Sequence, residues 1–122
     1  MEFGNSNPTY LSLMSNPTLV DLYRTNATAL GVTFDPTIPR VGGSSDVGNV
    51  SHHRPTIEPK VGINADGNLH TEAFAEAAGR KENQMPILRA AKSIAYSGID
   101  ILSNPELAKT AREQFEREKD PR

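Results

Sequence analysis

The sequence predicts a partial α/β domain: a few strands packed by helices toward the carboxy terminus. Helical spacing of apolar residues dominates two stretches, 16–31 and 71–115, while 32–34 and 56–63 have strand character. A third observation is the run of small residues Ala90, Ala91, Ala95 and Gly98 along one helix, which permits the close approach typical of layered helix-and-sheet structures. Two or three strands cannot cover such helices, so further strands are expected from outside the chain.

The elements follow in order. Residues 1–15 are polar and turn-rich. Asn16-Pro17 reads as a helix start, because asparagine caps free amides and proline at the first helical position loses no hydrogen bond. Leu19, Leu22, Tyr23, Ala27 and Leu30 then keep helical spacing, and Gly31 supplies a left-handed stop. Val32 to Phe34 suits a short strand and Asp35 to Pro39 a loop. After the glycine-serine stretch from Gly42, a strand is expected at about Thr56 to Ile63, with Pro59 at a bulge or edge. Asn64 to Asn68 is a turn, Thr71 to Ala78 a short helix stopped by Gly79. Pro86 opens a longer helix whose buried stripe is read as Ile87, Ala90, Ala91, Ile94, Ala95, Gly98, Ile101 and Leu102. Asn104-Pro105 repeats the cap-plus-proline start, and Leu107, Ala108, Ala111 and Phe115 form the inner side of the last helix.

Composition limits the function. The chain has 122 residues, one domain or part of one. Its hydrophobic share is 36%, below the roughly 45–50% usual when glycine is counted. Nine glycines and nine prolines push the same way, so either much of the chain is irregular or its core is completed elsewhere. A formal net charge of −2 gives no field for nucleic acid or an anionic membrane. The absence of cysteine excludes disulfides and thiolate metal sites. No apolar run approaches the ~20 residues of a membrane span, and Met1 to Asn5 has neither the basic nor the apolar region of a signal peptide. A cytoplasmic protein without nucleic-acid or membrane partners is expected.

Three groups of residues could carry chemistry. Gly43, Ser44, Ser45 and Asp46 place flexible backbone ahead of two hydroxyls and a carboxylate. If a helical turn starts near Ser45, its free amides attract an anion such as a substrate carboxylate; an ordinary turn with a serine or aspartate cap explains the same residues. Of three histidines, the adjacent His52 and His53 lack chelating spacing. His70, at a turn–helix junction, is either a ligand or a cap or surface group. Asp46, Glu58, Asp66, Glu72 and Glu76 are scattered, and no metallopeptidase H-E-x-x-H, P-loop or G-x-S-x-G occurs.

Two segments together resemble a known family. Gly43 to Ser51, followed by Pro55, is similar to the loop G-S-T-D-x-G-N/D-V-S of aminoacylase-like metallopeptidases, in the branch of aminobenzoyl-glutamate hydrolases and peptidase domain-containing protein 2 dipeptidases. His70 to Gly79 resembles that branch's H-T-x-x-F-x-x-A-A segment, and Tyr10, Asn16, Leu19, Tyr23, Asn26 and Leu30-Gly31 fit upstream. The resemblance implies a zinc-peptidase-like fold, with 1–31 as the end of a lid (dimerisation) domain and its returning helix. Residues 32–122 are then the carboxy-terminal part of the catalytic domain. It implies hydrolysis of an amide or dipeptide bearing a free carboxylate, by two zinc ions that activate water. His70 stands at the family's last metal-ligand position, and the Gly43 to Asp46 loop near the substrate end of the cleft.

Departures are equally informative. The family's H-x-D segment, bridging aspartate and Glu-Glu pair precede the lid and have no counterpart here, so no catalytic residue is assigned. Ser45 replaces a common threonine, and His52 stands where an aromatic residue is usual. A fragment inactive alone is expected, assembling as a homodimer or with its missing amino-terminal part; the alternative is a non-catalytic binding module derived from the fold.

Overall fold

The computed structural model describes residues 9–35 and 45–119. Five helices follow one another: α1 (Pro17–Ala29), α2 (Val47–Ser51), α3 (Glu72–Gly79), α4 (Lys81–Ser103) and α5 (Pro105–Lys119). The long helix α4 is the spine: α1, α3 and α5 all pack on it, and α1 also packs on α5.

Local chemistry sets the helix limits. The Asn16 side chain accepts from the Leu19 amide at 3.2 Å, and Gly31 ends α1 with φ 76°. The Thr71 hydroxyl caps α3 by accepting from Phe74 N at 3.3 Å. Asn104 caps α5, its side-chain oxygen accepting from Glu106 N at 3.1 Å ahead of Pro105. Among the described residues no helix is long and apolar enough to cross a membrane.

The expected α/β class is overturned. Among the described residues there is no β-strand, only an isolated parallel bridge between Ser15 and Thr56. Residues 32–34 and 57–63 form no strand. The physical reason is the lack of a neighbour: a strand is stabilised by its ladder, and the backbone groups of 57–63 have no hydrogen-bond partner among the described residues. Its backbone is fixed only at its ends. Thr56 O accepts from Asn16 N at 2.9 Å, and Asn64 N and O both bond the Asn83 side chain, at 2.8 and 2.9 Å.

The start of α4 also differs from expectation. It begins at Lys81, with Pro86 inside the helix rather than opening it. Its inward face is another surprise. Asn83, Ala90 and Ser93 are buried, with Ser97 and Asp100 half-buried on the same side. Of the expected stripe, Ala90 alone is buried, while Ile87, Ala91, Ile94, Ala95, Gly98 and Leu102 are exposed.

Polar side chains therefore make the seams between helices. Asn16, 2% exposed, donates to Ala111 O at 2.8 Å, and Thr18 bonds Gln114 through both its amide and its hydroxyl. Asn26 donates to Ser97 Oγ at 3.2 Å and to Asp100 Oδ2 at 2.8 Å, joining α1 to α4. Asn83, also 2% exposed, adds a bond to Ala77 O at 2.7 Å, joining α3 to α4. Among the described residues every buried side-chain polar atom is satisfied, as burial requires. Their apolar core is small: Tyr23, Ala27, Ala77, Ala90, Ala111 and Phe115.

Candidate functional site

Gly43 and Ser44, half of the expected substrate loop, lie outside the described residues. Ser45 is half-buried, and its hydroxyl donates to Glu58 Oε1 at 3.3 Å. The same carboxylate oxygen meets Lys60 Nζ at 3.0 Å, an ion pair whose lysine is largely exposed and worth about 0–1 kcal/mol. Asp46 occupies the cap position of α2 but in helical conformation, and its side chain makes no capping bond.

The rest of that motif has a different task. A Cβ on Gly48 would lie 1.9 Å from Leu11 O, so only glycine admits the extended segment 9–14 across α2. The Asn49 side chain accepts from Leu11 N at 3.2 Å and donates to Thr9 O at 2.9 Å. Ser51, fully buried, accepts from Met14 N at 2.9 Å and donates to Gly48 O. His52 Nε2 donates to Ser12 O at 3.0 Å, which requires the proton on that nitrogen. Gly48 and the side chains of Asn49, Ser51 and His52 thus lash one backbone segment to α2. The sequence pattern carried this only as part of a loop motif.

His70 precedes the cap of α3. It is exposed, and its φ of 66° is left-handed, the single non-glycine case among the described residues. That conformation costs roughly 1–2 kcal/mol for an L-residue, although histidine tolerates it better than most. Strain of this kind concentrates at functional positions. No protein group bonds the imidazole among the described residues, so both ring nitrogens are open to a ligand.

A catalytic zinc site uses three protein ligands and a water. Among the described residues no three His, Asp or Glu side chains converge to hold a metal ion. His70 by itself does not make a zinc site, and no chemical step is assigned to one.

Three concavities are prominent. One of about 400 Å³ lies between residues 53–55 and α5, beside Arg54, Lys109, Arg112 and Phe115. The others, of about 160 and 510 Å³, run along the unpaired stretch: the smaller beside Ile57 to Pro59 with Tyr23 and Phe34, the larger beside Lys60 to Gly62 with Pro86 and Ala90. None of the three is lined by Ser45, Asp46 or His70. Burial pushes the Tyr23 phenol, at the wall shared by the two smaller-stretch cavities, above its ordinary value.

The histidine segment and the tethering motif belong to a chain related in sequence to dipeptidases, the branch to which the motifs pointed. Two relatives, each named Xaa-Arg dipeptidase, carry the relationship. The Homo sapiens protein is 38% identical over 109 residues and the Mus musculus protein 37% identical over 109 residues. In both, the match covers 87% of this chain and 25% of the relative, so the chain spans about a quarter of their length. No family model matches the chain.

Proposed function

We propose that this chain is the carboxy-terminal part of a metal-dependent amidohydrolase of dipeptidase type, inactive by itself. The observation that carries this reading is its similarity, over 87% of its length, to the two Xaa-Arg dipeptidases. Substrates in this reading are dipeptides or related amides with a free carboxylate. His70 is the one metal ligand the chain contributes, and zinc the metal. Gly43, Ser44, Ser45 and Asp46 receive the substrate carboxylate. Residues 1–31 end the lid and 32–122 complete the catalytic domain, in the cytoplasm. The open imidazole on a left-handed backbone supports the role of His70.

A graft tests it. The human relative is prepared with its matching stretch replaced by this chain, and metal content and hydrolysis of an Xaa-Arg dipeptide are measured. Metal-dependent hydrolysis, with both activity and bound metal reduced in His70→Ala, is the expected result. A folded graft that binds metal equally with and without His70 overturns the assignment.

A further inference from the structure

The concavity of about 400 Å³ between residues 53–55 and α5 departs from the charge balance of the chain. The sequence as a whole carries a formal net charge of −2. The walls of this hollow carry Arg54, Lys109 and Arg112 against one carboxylate, Glu116. Its inner side is apolar, with Phe115 6% exposed and Ala108 half-buried. A cavity of this size, apolar within and holding a few charged groups, has the composition of a small-molecule site.

The cations lack counter-charges. Among the described residues the side chains of Lys109, Arg112 and Glu116 make no hydrogen bond or ion pair. Glu113 and Glu116 stand four residues after Lys109 and Arg112 on α5, the usual pairing distance on a helix. Neither pair closes to within 4.0 Å. The Arg54 guanidinium donates to His53 O at 2.7 Å, a neutral acceptor that leaves its charge uncompensated. Both walls are firmly placed. His53 N and Arg54 N donate to Val50 O at 2.9 and 3.0 Å, which fixes the loop at the end of α2. Ala108, Arg112 and Phe115 follow at helical spacing along one face of α5. Two fixed elements therefore hold three like charges around one apolar hollow, and an anion placed among them relieves their repulsion.

We infer that this concavity binds a small organic monoanion, a carboxylate carried on an aromatic or branched apolar body. The guanidinium forks of Arg54 and Arg112 match a carboxylate's two oxygens, and Lys109 adds a compact charge. Phe115 and Ala108 receive the apolar body. Glu116 narrows the class, because a second negative charge on the ligand would meet this carboxylate. Ser45, Asp46 and His70 do not line the hollow, so the inference does not depend on the hydrolytic reading.

The test is a titration of the 122-residue chain at low salt with 3-phenylpropionate, followed by backbone amide NMR shifts. Saturating shifts confined to residues 53–55 and 108–116 are expected, with a Kd below about 10 mM. The neutral 3-phenylpropanamide and the bare anion acetate are each expected to bind at least about tenfold more weakly, since each lacks one half of the recognition. Arg112→Gln and Arg54→Gln are each expected to weaken 3-phenylpropionate by at least about tenfold. Arg117→Gln removes the same charge from α5 outside the hollow and is expected to leave binding unchanged. Urea unfolding of the three variants should match wild type, which separates binding from folding. Absence of saturable shifts, equal binding of the amide, or equal weakening by Arg117→Gln would each overturn the inference. Inorganic phosphate binding as tightly as 3-phenylpropionate would also overturn it, because the apolar body would then contribute nothing.

Discussion

The two stripes of α4 differ in chemistry and in fate. The inner one, Asn83, Ala90, Ser93, Ser97 and Asp100, is mostly polar and is buried or half-buried; the outer one, Ile87, Ala91, Ile94, Gly98 and Leu102, is apolar and exposed. Hydrophobicity alone predicts the opposite arrangement. The inner stripe wins because its residues form specific bonds to neighbouring helices: Asn83 to Ala77 O and the Asn64 backbone, Ser97 and Asp100 to Asn26. Small side chains let α1 come close enough for those bonds. The outer stripe has nothing comparable to meet among the described residues. The lesson is that the polar seam holds the chain together, while the apolar seam is left for something larger.

That contrast predicts which substitutions matter. Asn83→Ala has the largest expected effect, at about 2–3 kcal/mol, for three lost bonds to Asn64 and Ala77. Asn16→Ala follows. It removes the cap of α1 and the tie from Asn16 to Ala111 O on α5, a loss of about 1–3 kcal/mol by urea unfolding. Asn16→Asp sharpens the point: it retains an acceptor for Leu19 N but loses the donor to Ala111 O, so it should remain clearly destabilised. If either asparagine variant unfolds like wild type, the polar seam is not what holds the helices.

Gly48→Ala comes next, at about 1–3 kcal/mol, because the new methyl must displace the segment at Leu11 O. Amide exchange should show Leu11 and Met14 losing protection ahead of α1. By contrast, Ile94→Glu/Leu102→Glu in the isolated chain is expected within about 0.5 kcal/mol of wild type. A large destabilisation there would show that the outer stripe is already covered and would erase the comparison.

The smallest effect concerns Tyr23. Burial raises its phenol above the ordinary value of 10.0. An acid whose folded pKa exceeds its unfolded one stays neutral in the folded state while the unfolded chain ionises. Stability from this group is therefore complete below about pH 10 and declines as pH rises through and beyond it. Tyr23→Phe should flatten that alkaline decline, measured as urea midpoints across the range.

Much of the helical layout was legible. Asn16-Pro17 and Asn104-Pro105 carried their caps in plain view, and Gly31 its stop. The strands were not, because Thr56 to Ile63 has strand character but its ladder needs a neighbour that the described residues do not supply. The burial of α4 was misread for a related reason. Periodicity located one stripe, Ile87 to Leu102, and missed the polar one that faces inward, because Ser93 or Asp100 advertises burial only when its partner is known. At the candidate site, His70 was singled out by family resemblance, while its left-handed backbone was invisible in sequence. The tethering by Gly48, Asn49, Ser51 and His52 depends on contacts nearly forty residues away in the chain, beyond any local pattern.

Hydrolysis by the purified 122-residue chain tests the central claim most directly. The chain is assayed alone against Xaa-Arg and acyl-amino-acid substrates, with zinc, manganese or cobalt added. The proposed single metal ligand, His70, predicts no turnover above the metal blank. Metal-dependent turnover that follows the protein through purification and disappears in His70→Ala would contradict that account, because it would mean this chain completes the site by itself.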